Sequence, residues 1–288
     1  MSWREIAWNG VRFLAPAAWE VAKMGPRYLV LADQGEPVME IKWERSKRRF
    51  SHRTALRRLK SLYRGTVQES TVPEEWKKRL SDFTMAGFTW QAESKVGRGA
   101  ILYCPACGNA TLIQFFQNVL RSSEKTCLGV LASFRDHSLD DTIRWSIFDI
   151  RAEIPAEYRL VRYRFEAGRF EMHFEAKGQL LALYRWGPAS ALLENGDIAA
   201  FAAQAAQIQQ GDWRSLHRTG YPAVQWDKSV SDGLWDRCRE RLMRVPHFQR
   251  FRLWHLGEQN RLLGIGAKGN KTLPAEFFDR ICTAYESL

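Results

Sequence analysis

The chain has no run of 18 apolar residues, which excludes a hydrophobic membrane-spanning helix. It opens on Met1-Ser-Trp-Arg-Glu5, without the basic head and apolar core of an export signal. Cysteine is scarce: five in 288 residues, odd in number and unevenly spaced, so a disulfide framework is excluded. The expected setting is therefore a reducing cytoplasm. The six histidines form no H-x-x-x-H or H-E-x-x-H pair, and no Ser or Cys sits in a nucleophile elbow. Gly264-Ile-Gly-Ala-Lys-Gly-Asn-Lys-Thr272 misses the phosphate-loop pattern by the inserted Asn270, which moves Lys271 and Thr272 out of register. These absences leave no catalytic constellation, and the expectation leans away from an enzyme.

An apolar fraction of 45% with 26% charged residues is ordinary for a globular protein, so disorder is not expected. The twelve Trp read first as core packing in a strand-rich chain. The net charge of +11 is unevenly spread: up to Arg144 there are 23 basic and 15 acidic residues, a net of +8. That asymmetry predicts a localised basic surface rather than a general aid to solubility.

Alternation predicts strands over Ile6–Leu14, Ala18–Lys23, Tyr28–Ala32 and Val38–Trp43, broken by Pro16, Gly25-Pro26 and Asp33–Pro37. Ser51 reads as the N-cap of a helix from His52 to about Tyr63, with Leu56, Leu59 and Tyr63 facing the core. Pro73-Glu-Glu opens a second helix. Arg98–Tyr103 and Thr111–Gln117 read as hairpin arms around Cys104-Pro-Ala-Cys-Gly-Asn109, and a helix over Ser123–Arg135 follows. The order of elements then repeats. Ile147–Tyr158 echoes Ile6–Trp19, with Pro155 and Tyr158 answering Pro16 and Trp19. The spacing Gly25 to Trp43 returns as Gly168 to Trp186, and helices are predicted over Asp197–Gln210, Asp232–Met243 and Pro274–Tyr285. The economical reading is an α+β chain of two tandem similar domains, residues 1–138 and 142–288, each an antiparallel sheet flanked by helices, with Asp136–Asp141 as linker.

Gly10-Val-Arg-Phe13 with Pro16 and Trp19, and the later Val130-Leu-Ala-Ser-Phe-Arg135, resemble the opening and closing segments of PsbP-like domains. In the second half Pro155, Tyr158 and the element order are similar, whereas Tyr285-Glu-Ser stands where Ser-Phe closes the family pattern. The resemblance implies two tandem copies of a helix-flanked antiparallel sheet, in a family of mostly non-catalytic binding proteins with no active site to carry over.

Two features are candidate sites. Cys104 and Cys107 form a hairpin knuckle of the kind that supplies half of a zinc shell. The arm after the tip runs roughly 20–25 Å at ~3.3 Å per residue, and the following helix returns about 18 Å at ~1.5 Å per residue. That path brings Asp136 and His137 back toward the tip and makes His137 the third candidate ligand, with Cys127 left beyond the far end. The second half turns the same corner as Leu256-Gly-Glu-Gln-Asn260, without thiols. Zinc binding, a dithiol redox role and an inert pair all remain open. The second feature is basic: Arg53, Arg57, Lys60 and Arg64 recur at helical spacing opposite the leucine face, preceded by Lys47, Arg48 and Arg49. Such a stripe suits an acidic protein or a polyanion. Nucleic acid stays open as a partner, though no nucleic-acid-binding signature accompanies the stripe. The leading expectation is a cytoplasmic binding or adaptor protein that uses this surface, with a zinc module or a thiol redox protein as alternatives.

Overall fold

The computed structural model describes residues 2–46, 49–62, 66–92, 95–122, 124–138, 140–193, 197–208, 212–218, 220–228, 248–270 and 273–288. These residues form mostly antiparallel sheet with flanking helices and fall into two compact units, Met1–Asp149 and Ile150–Leu288. Residues 136–141 lie inside the first unit, and the expected start of the second half at residue 142 falls on a strand of the first unit instead. The expected helix over Asp232–Met243 lies outside the described residues.

The first unit opens with a hairpin, β1 (Trp3–Trp8) and β2 (Val11–Pro16). Ile6–Leu14 is thus two strands rather than the expected one. Asn9 and Gly10 turn the corner at φ 46° and 95°. Left-handed backbone at both central positions of a two-residue turn is what an Asn-Gly pair tolerates best. The later stretch 142–155 turns in a similar way, at Phe148 (φ 54°), between β10 (Thr142–Ile147) and β11 (Ile150–Pro155). Strand β10 pairs with β1, where Trp145 meets Trp8 edge-on at 5.2 Å.

Seven further strands follow: β3 (Trp19–Gly25), β4 (Tyr28–Asp33), β5 (Glu36–Arg45), β6 (Thr66–Ser70), β7 (Thr84–Ala92), β8 (Lys95–Tyr103) and β9 (Asn109–Phe116). They make one sheet in the order β3-β4-β5-β9-β8-β7-β6. Helix α1 (His52–Leu62) covers one face, burying Leu56 and Leu59 against Val67, Phe88, Trp90 and Ile101. Full burial of one Leu is worth about 1.5–3 kcal/mol, enough to hold so polar a helix in place. The rings of Phe88 and Trp90 lie across the next strand at Gly99 and Gly97, where a Cβ would come within 2.5 and 2.6 Å of them. On the other face, α2 (Glu74–Arg79) places Trp76 against Phe115 at 5.7 Å. A short α3 (Gln117–Ser122) leads to α4 (Glu124–Ser133), which buries Cys127, Val130 and Leu131 and packs on α2 and β2.

In the second unit β12 (Arg159–Glu166), β13 (Arg169–Ala176), β14 (Gln179–Trp186), β15 (Arg214–Arg218), β16 (Tyr221–Lys228), β17 (Phe248–Leu256) and β18 (Arg261–Gly269) form a sheet ordered β12-β13-β14-β18-β17-β16-β15. This order matches that of the first sheet, strand for strand. Among the described residues the helices are α5 (Ala189–Leu192), α6 (Ile198–Ala206) and α7 (Ala275–Thr283), and β19 (Glu286–Ser287) pairs with β11. Asp197 caps α6, its carboxylate accepting from the backbone N–H groups of Ala199 and Ala200 at 2.9 Å. The helix ends at left-handed Gln207, before the expected Gln210, which lies outside the described residues. No helix among the described residues is long and apolar enough to cross a membrane.

Candidate metal centre and the basic helix

The turn between β8 and β9 is tight because Asn109 and Cys104 close it at the backbone. Cys104 N–H donates to the Asn109 carbonyl and Gly108 N–H donates to the Cys104 carbonyl, both at 2.9 Å. Gly108 sits at φ 75°, a conformation that disfavours any side chain. Both thiols therefore project from one corner. The chain leaving α4 is fixed nearby, since Arg135 and Arg12 exchange two backbone hydrogen bonds of 2.8 Å. Asn109 Nδ2 then donates to the Asp136 carbonyl at 2.8 Å, tying the two segments together.

The result is a cluster of four donor residues, Cys104, Cys107, Asp136 and His137, whose ligand atoms all lie within 4.8 Å of one another. Cys104 Sγ stands 3.8 Å from His137 Nδ1, and that nitrogen is 2.7 Å from Asp136 Oδ1. The Cys107 thiol donates to Asp136 Oδ2 at 3.2 Å. Cys104 and Asp136 are buried, whereas Cys107 and His137 are partly open, which leaves the cluster one side toward solvent. Burial pushes the Cys107 thiol up to about 12, and the adjoining Asp136 carboxylate and Cys104 add to the rise.

The donor set suits a soft or borderline divalent ion. A tetrahedral zinc with bonds of about 2.0–2.3 Å keeps its ligands about 3.3–3.8 Å apart. The present cluster, spread over at most 4.8 Å, needs a contraction of about 1 Å to match. Two thiols, an imidazole and a carboxylate give four ligands without further recruitment. The sequence-predicted residues Cys104, Cys107 and His137 are thus brought together. Asp136 reads as linker in the sequence, where the available signal is its position beside His137 at the end of the returning helix. Cys127 is buried under α4 and takes no part.

On α1, Arg53, Arg57 and Lys60 are exposed, on the side away from Leu56 and Leu59, and none is ion-paired to a described residue. Arg64 lies outside the described residues, as do Lys47, Arg48 and Tyr63. Arg49 and Arg58 border a cavity of about 1070 Å³ between α1 and the sheet, a feature the sequence did not announce.

No family model matches this sequence, and no curated protein does either. Among solved structures, the apo immunity protein TplEi of the type VI secretion system of Pseudomonas aeruginosa aligns over 100% of this chain and 97% of its own, at 11% identity and a TM-score of 0.36. The Ran-binding protein Mog1p of Saccharomyces cerevisiae covers 52% of this chain and 96% of its own, at 10% identity and a TM-score of 0.33. A mutant form of the protein Mog1 gives 51% and 96%, at 9% identity and 0.34. Likenesses this remote carry no argument about function.

Proposed function

We propose that this is a non-enzymatic binding protein whose first unit is braced by a zinc knuckle of Cys104, Cys107, Asp136 and His137. The observation that carries the reading is the convergence of four ligand-type atoms within 4.8 Å from two chain segments about thirty residues apart. Zinc here would lock the β8–β9 tip to the end of α4, a structural task that needs a closed shell and no open coordination position. Placement in a reducing cytoplasm, where both thiols stay available, belongs to the same reading. So does descent of the two like-ordered sheets from one PsbP-like module. Elemental analysis of protein purified with zinc present tests it: about one equivalent per chain is expected, falling with Cys104→Ser. Less than a tenth of an equivalent in the wild type would overturn it.

A second, compatible reading concerns the partner. Arg53, Arg57 and Lys60 point outward without ion-paired neighbours among the described residues, as an anion-docking face requires. An acidic protein or polyanion is the partner this charge suits. Its retention should weaken steeply with salt and be lost in an Arg53→Glu, Arg57→Glu, Lys60→Glu variant that still folds.

A further inference from the structure

We infer that the cavity between α1 and β5 in the first unit binds an amphipathic organic anion of the long-chain carboxylate type. This goes beyond the zinc reading and does not depend on it. At about 1070 Å³ the space reaches the upper end of the range for small-molecule sites, about 300–1000 Å³. Its apolar lining comes from Leu59, Leu62, Ile101 and Leu112. Leu62 is 70% exposed at the rim, a large apolar side chain that nothing described covers.

The charge around the cavity is mainly basic. Arg49 and Arg58 border the cavity, are exposed, and are ion-paired to no described residue. Lys42 is already engaged, 2.6 Å from Glu40 and over the Tyr28 ring. Glu44 is the one carboxylate in the lining. Two such guanidinium groups above an apolar floor match a ligand with an anionic head and an aliphatic or aromatic body.

The second unit supplies the comparison. Its β14 holds the place in the sheet that β5 holds in the first. There Tyr184 and Trp186 stack at 5.1 Å, Phe201 of α6 meets Trp186 edge-on at 5.4 Å, and Trp213 closes on Phe251 at 6.2 Å. These rings fill the space beneath α6 as part of one apolar cluster. In β5 the side chains toward α1 are Lys42 and Glu44, and among the described residues a cavity remains beside them. The fold can close this layer with its own aromatics; among the described residues of the first unit, Leu62 is left uncovered at its edge.

Calorimetric titration of the full chain with decanoate, dodecanoate and dodecyltrimethylammonium, each below its micellar concentration, tests the inference. Dodecanoate should bind once per chain, about fifteenfold tighter than decanoate, since each buried methylene is worth about fourfold. The cationic analogue should bind far more weakly. Arg49→Glu combined with Arg58→Glu should weaken dodecanoate at least tenfold. Glu44→Trp should abolish binding by filling the space, even though it removes a repelling charge. Absent binding to the wild type, equal affinity for the cationic analogue, or unchanged affinity in the double Arg variant would overturn the proposal. The two arginines are exposed, so that last arm stays informative even where Glu44→Trp fails to fold.

Discussion

Adding zinc to metal-free protein should raise the stability of the first unit by an amount fixed by mass action. In the absence of metal the knuckle is held by protons: the Cys107 thiol donates to Asp136, and His137 Nδ1 lies within hydrogen-bond reach of the same carboxylate. Zinc displaces those protons, and a ligand present at a hundred times its dissociation constant stabilises the fold by about 2.7 kcal/mol. For a unit running from Met1 to Asp149, each kcal/mol moves the melting temperature by about 3 °C, so a rise of about 8 °C is expected. The pH dependence has a definite sign. Burial holds the Cys107 thiol at about 12 in the metal-free state, far above neutrality, so ligation at pH 7 must release its proton. Zinc affinity should then rise with pH, about tenfold per unit for each thiol proton displaced, and be lost on acidification. Scanning calorimetry with zinc and with chelator, at pH 6, 7 and 8, makes the measurement. A melting temperature indifferent to zinc at all three, or a full shift retained in a Cys104→Ser, Cys107→Ser variant, would refute the reasoning.

Other substitutions follow from the same packing. Asp136→Asn should destabilise the metal-free chain by about 1.5–3 kcal/mol in urea, because the Cys107 thiol and the His137 ring lose a buried carboxylate acceptor; a change below about 0.5 kcal/mol would contradict that. Leu59→Ala should cost about 2–5 kcal/mol by emptying the seam under α1, whereas Arg57→Ala on the opposite face should stay within about 0.5 kcal/mol. In the second unit burial raises the Asp227 pKa, but the Arg250 hydrogen bond, the Gln225 amide and the charges of Arg250 and Arg214 outweigh it and hold it below the usual carboxylate range. A lowered folded value means that the carboxylate stabilises the fold above its unfolded pKa of about 3.9, a contribution lost as pH falls through the folded value. The stability gap between wild type and Asp227→Asn should accordingly narrow between pH 5 and pH 2, and a constant gap would count against the clamp.

Much of the chain was legible because its elements obey simple lengths. Residue rise along β9 and α4 was enough to send the chain from the Cys104 tip outward and back to His137, since a strand and a helix advance by fixed steps. Asp136 was harder to place, because an Asp beside Ser138 and Asp140 reads as solvated linker until the Arg12–Arg135 backbone bridge is known. The β1–β2 corner hid because buried apolar residues continue across it: Ile6 and Trp8 on one side, Val11, Phe13 and Ala15 on the other, with the phase of the alternation changing at Asn9-Gly10. Strand β6 carries little signal because only Val67 in it is buried. The Gly25–Trp43 and Gly168–Trp186 landmarks are equally spaced, yet they mislead about facing. A register shift between Leu31 and Ala32 carries Trp43 away from α1, where its indole donates to the Asn9 carbonyl, while Trp186 turns toward α6. One bulge reverses which side of a strand faces the helix, and no pattern of residue types alone announces it.

That reversal explains how two sheets of the same order come to differ in use. The side chains that close the layer under α6 are displaced by one register step in the first unit, so Lys42 and Glu44 stand where stacked rings would otherwise lie. The hairpin tips diverge in the same way. In the second unit Asn260 secures the tip to α5, its side chain accepting from Ser190 N–H at 2.7 Å and donating to Ser190 Oγ at 3.0 Å. In the first unit two cysteines of the tip meet Asp136 and His137 from the segment after α4, and the Gly108 carbonyl also accepts from Ser46 N–H at 2.9 Å, at the end of β5 beside the cavity. One difference lies at a turn, the other on the sheet face at the edge of the helix seam. A scaffold can lose aromatics and gain ligands there while Leu56, Val67, Phe88 and Trp90 go on holding α1 to the sheet.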